Sequence, residues 1–230
     1  MSPQDYAHNL AQVNQRIQQA CLAAGRPATS VSLLAVSKTQ PESAVAAFLA
    51  LGQTAFGENY LQDALPKITA HPDAQWHFIG PIQSNKTKPI AEHFDWVESV
   101  DRLKIAQRLS DQRPSDKPAL NILLQINISE EASKSGFLPN ELMAVAQEIA
   151  QLPGLVIRGL MAIPAATDDP VAQRQPFAHM RRLFEQLQQT LPNQPIDTLS
   201  MGMSGDLEAA ILEGSTQVRI GTDLFGARRI

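Results

Sequence analysis

A lysine at the end of a buried apolar run has chemistry to offer, and this sequence contains one. Lys38 follows the run Val31-Ser32-Leu33-Leu34-Ala35-Val36 with only Ser37 between. At such an edge an ammonium group is partly desolvated, which lowers its pKa and frees an amine that attacks carbonyl carbon. The reaction this suits is Schiff-base formation with an aldehyde. Position alone also fits a loop lysine turned to water.

Two later stretches have the residue types that bind an anion. Ser204-Gly205-Asp206 opens an apolar, helical-looking segment, and Gly221-Thr222 closes the last apolar run. Small residues let the backbone approach a phosphate, and N–H groups at a helix start attract it. Ser204 alone also reads as the N-cap of its own helix. Arg219 sits inside the last run, and a buried arginine must be paired or hydrogen-bonded. A salt bridge to Glu208 or Glu213 is one reading. The other is a guanidinium facing the nitrogen of a heterocycle, where it would keep a pyridine unprotonated and a weaker electron sink.

The remaining polar residues after apolar runs are Glu58-Asn59, then Gly80 with Gln83-Ser84-Asn85-Lys86, and Asn127. Other chemistries lack their residues. His8, His71, His77, His93 and His179 show no metal-ligand spacing. His77 reads as a strand histidine held by a backbone partner. No P-loop, nucleophile elbow or dinucleotide fingerprint is present. Asp206, Glu208 and Glu213 fall on one short helix and read as solvated or capping groups. Met161, Met201 and Met203 read as core or ring-packing residues. The sequence therefore assigns no metal site and no catalytic residue.

The elements that must position these residues alternate along the chain. Residues 4–24 form a first helix, with Leu10, Val13, Ile17 and Ala20 at helical spacing. Eight strands follow at 31–36, 55–57, 76–80, 96–100, 120–126, 156–163, 198–201 and 217–220. Between them lie helices at 41–52, 60–70, 86–93, 101–110, 139–151, 171–190 and 206–213, with a short helical turn at the C-terminus. Strands alternating with helices argue for a parallel sheet, and eight such units match a (β/α)8 TIM-type barrel with an extra N-terminal helix. A doubly wound open sheet is the competing arrangement. No Pro/Gly/Ser-rich linker divides the 230 residues, so residues 1–230 read as one domain. A barrel does its chemistry where strands end, which is where the polar residues above fall.

Composition narrows the partners. The formal net charge is −4, whereas a nucleic-acid binder is usually basic or carries a dense basic stripe. Asn85-Lys86-Thr87-Lys88 is too short for one, and Arg228-Arg229 is weaker still. A single cysteine, Cys21, forbids an internal disulfide and fits a reducing compartment; its place in the periodic first helix argues burial. No charged-then-apolar leader opens the sequence, and no apolar run reaches membrane-spanning length. The expectation is a cytoplasmic protein, and, with no self-complementary patch legible, a monomer.

Several stretches together resemble the pyridoxal phosphate homeostasis protein family. They are Leu34-Ala35-Val36-Ser37-Lys38-Thr39, Phe56-Gly57-Glu58-Asn59-Tyr60, and the long block Trp76-His77-Phe78-Ile79-Gly80-Pro81-Ile82-Gln83-Ser84-Asn85-Lys86. Ser135-Gly136-Phe137, Arg158-Gly159-Leu160-Met161, Leu199-Ser200-Met201-Gly202-Met203-Ser204 and Val218-Arg219-Ile220-Gly221-Thr222 follow in order. The resemblance implies a single-domain barrel similar to the N-terminal domain of alanine racemase. It implies pyridoxal 5′-phosphate (PLP) held as a Schiff base on Lys38. Ser200, Ser204, Gly221 and Thr222 would surround the phosphate, Arg219 would face the pyridine nitrogen, Asn59 and Met161 would lie near the ring, and Gly202 would also be cofactor-binding.

The resemblance further implies binding and buffering of PLP in vitamin B6 homeostasis, with effects on amino-acid metabolism and PLP-dependent apoenzymes as recipients. It implies no robust turnover. A weakly active, racemase-like enzyme is the alternative, but racemisation needs two acid/base groups on opposite faces of the substrate. The only tyrosines, Tyr6 and Tyr60, both read as lying on helical stretches. Two positions depart from the family pattern. Gly205 replaces a more polar residue, and Asp223 stands where a small residue is usual. A carboxylate that close to a phosphate weakens binding unless it points away.

Overall fold

Eight apolar runs form eight parallel strands that close on themselves in chain order, β1 to β8, in a computed structural model describing residues 1–227. The strands are β1 (Ser32–Val36), β2 (Ala55–Glu58), β3 (Gln75–Phe78), β4 (Trp96–Val100), β5 (Leu120–Gln125), β6 (Leu155–Met161), β7 (Thr198–Ser200) and β8 (Gln217–Ile220). β8 returns to β1, with Arg219 beside Leu34, and this closure excludes the open sheet. Helices α2 (Glu42–Ala50), α3 (Leu61–Ala70), α4 (Thr87–His93), α5 (Leu103–Gln112), α6 (Leu142–Ile149), α7 (Pro170–Thr190) and α8 (Leu207–Leu212) follow the first seven strands in turn. A four-residue helix, α9 (Thr222–Phe225), follows β8.

The additional helix α1 (Pro3–Ala23) is well specified by its sequence. The Ser2 hydroxyl accepts the Asp5 N–H at 3.2 Å, while the Asp5 carboxylate accepts the Ser2 N–H at 2.7 Å. This reciprocal pair is a capping box, and Pro3 adds a first-turn residue whose missing N–H costs nothing. Leu10, Val13, Ile17, Ala20 and Cys21 form its buried stripe. Gly25, at φ +66°, supplies the left-handed residue that lets the chain leave the helix.

The main apolar core lies between the strands and the surrounding helices. The inside of the barrel is different. A small cluster of Trp96, Leu123 and Met161 is separate from that core. His77, Glu98, Ser200, Gln217 and Arg219 are also buried and bonded to one another across the strands. At the end where the strands begin, Trp96 stacks on His77 at 4.9 Å, and the Arg158 guanidinium lies 4.8 Å over the Trp96 ring. The Arg158–Asp197 ion pair caps that end.

Element boundaries differ from the sequence reading where loops intervene. The expected helix 139–151 contracts to Leu142–Ile149, because residues 127–138 fold back along β5. There the Asn127 N–H donates to the Phe137 carbonyl, and the Phe137 N–H to the Gln125 carbonyl. β6 stops at Met161, before Pro164. Tyr60 has extended backbone and precedes α3 rather than lying in it, and Tyr6 packs against the Phe48 and Phe225 rings. Among the described residues no helix is long and apolar enough to cross a membrane. Arg228-Arg229 lies outside the described residues.

Candidate functional site

The C-terminal ends of β1, β2, β3, β6, β7 and β8 surround a cleft of about 360 Å3. Lys38, Asn59, Ser204, Arg219, Gly221 and Thr222 all line it, so the structure brings together six residues that the sequence singled out from four separate segments. Val36, Gln40, Ile79, Ile163 and Met203 complete most of the wall. The volume lies in the range of small-molecule sites, and the mixture of apolar wall with a few convergent polar groups is typical of them.

Ser200, Gly202 and Met161 are not on the wall. Ser200 is buried beneath it, and its hydroxyl is fully committed. It donates to Glu98 at 2.6 Å and accepts from Arg219 at 2.7 Å and Gln217 at 3.1 Å. Its place in the structure is as a support for Arg219. Gly202, at φ +102°, packs its Cα face against Ala210, where a side chain would collide, and its carbonyl accepts the Arg219 N–H at 2.9 Å. It shapes the loop from behind. Met161 packs inside the barrel with Trp96 and Leu123. The Gln83–Lys86 segment is also elsewhere, forming a turn whose Ser84 carbonyl accepts from Arg108 of α5.

Arg219 is 4 % exposed, yet it faces the cleft. Its other terminal nitrogen donates to the Ala162 carbonyl at 3.0 Å. The expected partners Glu208 and Glu213 are engaged by Arg16 and Arg174 instead. The compensating charge is the buried Glu98 of β4, which no motif in the sequence marks. Burial lowers the Arg219 pKa, and Glu98 and Asp206 oppose that shift. Arginine stays charged through such a shift, so a fixed cation stands at the floor of the cleft. His77 is held by the Glu98 carboxylate at 2.6 Å and the Gln75 side chain, not by backbone.

Lys38 is half-buried on a turn that its neighbours hold tightly. Thr39 adopts φ +62°, a left-handed conformation that is costly for a β-branched residue. The Asp63 carboxylate holds that turn by accepting the Thr39 N–H at 2.7 Å, and it is itself paired with Lys67 at 2.9 Å. Lys67 also donates to Glu58 at 2.8 Å and to the Ser37 carbonyl at 2.9 Å, while the Ser37 hydroxyl donates to Glu58 at 2.7 Å. Strand β1 therefore ends in a buried polar knot directly behind Lys38.

Burial pushes the Glu58 carboxyl up to about 7, against the pull of Lys67 and Ser37. Its Oε2 is buried with no hydrogen-bond partner, consistent with a carboxyl that is readily protonated. Because the folded value is raised, the stability linked to this group is full below the unfolded carboxylate range and fades as pH rises through 7. The expected result is that wild-type stability falls by up to about 3 kcal/mol between pH 4.5 and 8 relative to Glu58→Gln. Urea denaturation of both proteins across that range checks it, and parallel curves would contradict it.

Asn59 offers a second unsatisfied atom. It lines the cleft, and its Oδ1 is buried without a hydrogen-bond partner. A buried amide oxygen left unpaired is costly unless a ligand completes it. Gly80 makes this placement possible, because a Cβ there would run into the Asn59 carbonyl and Cα. Opposite, a Cβ at Gly205 would meet nothing within 4 Å, so the backbone of the Ser204-Gly205 loop is openly accessible. Asp223 is not among the residues of the cleft wall. Its carboxylate is bound by Arg16 at 2.6 Å. Among the described residues no group of three His, Cys, Asp or Glu side chains is gathered to hold a metal ion.

Residues 4–229 match the family described as alanine racemase, N-terminal domain. The pyridoxal phosphate homeostasis protein of Pseudomonas aeruginosa is 60 % identical over 224 residues, covering 96 % of this chain and 95 % of that one. Its counterpart in Pasteurella multocida is 57 % identical, covering 96 % of each. Among solved structures, PipY of Synechococcus elongatus with PLP bound superposes with a TM-score of 0.82 at 37 % identity, over 96 % of this chain and 100 % of that one. Alanine racemase from Corynebacterium glutamicum shares the fold alone, with a TM-score of 0.75 at 17 % identity over 98 % of this chain and 62 % of its own.

Proposed function

The chain belongs to the alanine racemase N-terminal domain family and, within it, to the pyridoxal phosphate homeostasis proteins, and on that premise we propose that it binds PLP and serves PLP homeostasis. The observation that carries the reading is the convergence of a lysine, a buried arginine and an unsatisfied buried amide on one cleft at the mouth of the barrel. The residues fit the group. Asn59 Oδ1 lacks a partner that a ligand donor can supply, Arg219 fits a neutral ring nitrogen, and the Ser204-Gly205 and Gly221-Thr222 backbones are small enough for a phosphate. Lys38 is the proposed attachment point, as a Schiff base. When bound, PLP supplies an aldehyde and a pyridine ring that can act as an electron sink.

The loops after β7 and β8 would hold the phosphate end, and Arg219 would face the ring nitrogen with a cation that disfavours its protonation. Ile79, Ile163 and Met203 exclude water from the sides. Ser200, Gly202 and Met161 act from behind the wall, through Arg219 and the loop. The proposed role is to hold PLP in the cytoplasm as a monomeric, single-domain carrier or buffer and to pass it to PLP-dependent apoenzymes, with effects on amino-acid metabolism. Sustained turnover is not part of it, since of the tyrosines Tyr6 is packed among aromatic rings and Tyr60 is outside the cleft wall.

The test is equilibrium dialysis with PLP, followed by mixing the loaded protein with an excess of a PLP-dependent apoenzyme. The expected result is one PLP per chain, recovery of apoenzyme activity, and negligible exchange of the alanine α-proton by the carrier itself. No saturable PLP binding would sink the proposal. Rapid α-proton exchange would move the protein to the racemase-like reading.

A further inference from the structure

Three carboxylates crowd the loops proposed to hold the phosphate. Asp206 lies in the β7–α8 loop, Glu208 in the first turn of α8, and Asp223 in α9 directly after Gly221-Thr222. An anion site beside three acids would repel its ligand unless they are neutralised or turned away. Asp206 is occupied locally, accepting the Met203 N–H at 2.7 Å and lying within the field of Arg219. The other two converge on one residue from outside the barrel, Arg16 of α1. Its Nε donates to Glu208 at 2.8 Å, Nη1 to Asp223 at 2.6 Å, and Nη2 to both the Ser204 carbonyl at 2.9 Å and Glu208 at 3.0 Å.

We propose that Arg16 is a positioning residue for the phosphate end of the cofactor, joining the two phosphate loops and drawing Asp223 and Glu208 away from it. The inference rests on the proposed function. Arg16 is not on the cleft wall, so it acts through other groups. One guanidinium spans the β7–α8 loop, α8 and α9, and a planar fork is suited to such a junction where an ammonium is not. A second tie runs alongside it, from the Asn9 side chain to the Leu224 carbonyl at 2.9 Å. The helix added ahead of the barrel thus has a task in the site. It also supplies the counter-charge for Asp223, the acidic residue directly after Gly221-Thr222. Exposed ion pairs often contribute little to stability, so the effect expected here is on ligand preference more than on folding.

The discriminating probe is the ratio of affinities for PLP and for pyridoxal, which lacks the phosphate. Pyridoxal's tendency to close on itself cancels when variants are compared by this ratio. Arg16→Ala should weaken PLP binding by about tenfold or more while pyridoxal affinity stays within about twofold and the melting temperature confirms folding. The loss should shrink as salt rises, since the freed charges are near solvent. Adding Asp223→Asn and Glu208→Gln to Arg16→Ala should recover most of it. If Arg16→Ala does not fold, Arg16→Lys replaces it, with a smaller fall in the same ratio. An unchanged ratio in the folded variant, or equal loss of both ligands, overturns the inference and leaves the proposed function intact. Wild-type protein that binds neither ligand overturns both.

Discussion

Lys38→Ala will fail to develop the visible absorption band that wild-type protein gives with PLP, and it will bind PLP about a hundredfold more weakly, on the order of 3 kcal/mol. The lysine lines the cleft at the end of β1, half-buried, and a lysine amine is the group that condenses with an aldehyde. No other lysine is on that wall among the described residues. The nearest alternative in sequence, Lys67, is tied to Glu58, Asp63 and the Ser37 carbonyl inside the knot behind β1. Lys38→Arg separates charge from covalency, because it keeps a cation but cannot condense with an aldehyde. It should recover part of the affinity and none of the band. If Lys38→Ala and wild type give the same spectrum, Lys38 is not the attachment point, whatever the barrel holds.

Lys38 was legible because a barrel fixes where chemistry occurs. Once eight apolar runs alternate with helices, any polar residue just past a run is near the mouth, and Lys38, Asn59, Ser204, Gly221 and Thr222 follow from counting. Which of these face the cleft is a different question. Ser200 and Arg219 sit on paired strands, yet one supports and the other lines the wall, because their difference in depth and side-chain length has no trace in spacing. Glu98 was detectable in principle. A glutamate inside Trp96-Val97-Glu98-Ser99-Val100 must be buried, and a buried carboxylate requires partners. What the strand could not reveal was the identity of those partners, since His77, Ser200 and Gln217 come from three other strands. Arg16 carried no signal at all. It is one of several polar residues on the exposed face of an amphipathic helix, and its role exists only because α1 packs across α8 and α9.

The second large effect is expected at Glu98, which is buried beneath the cleft wall and not part of it. Its carboxylate accepts from Ser200 and His77 at 2.6 Å each and from Gln217 at 2.7 Å, inside the barrel. Full burial by itself would raise its pKa, but the His77 hydrogen bond, the charges of His77 and Arg219 and the Ser200 hydroxyl hold it below the usual carboxylate range. Because the folded value is depressed, the associated stability is present above the unfolded carboxylate range and is lost as pH falls through the folded value. Glu98→Gln keeps the shape but removes the charge that compensates buried Arg219. Glu98 and Arg219 meet through the Ser200 hydroxyl rather than directly, and leaving a buried charge uncompensated costs about 3–5 kcal/mol, which in a chain of this size lowers Tm by roughly 6–20 °C. Calorimetry of the protein without PLP measures this directly. Arg219→Met in the Glu98→Gln background removes the orphaned cation and should return much of the lost stability while PLP binding stays impaired. That pattern would assign the stability cost to an uncompensated charge and the binding loss to Arg219. A Glu98→Gln protein as stable as wild type would mean that Arg219 does not depend on Glu98 for its charge.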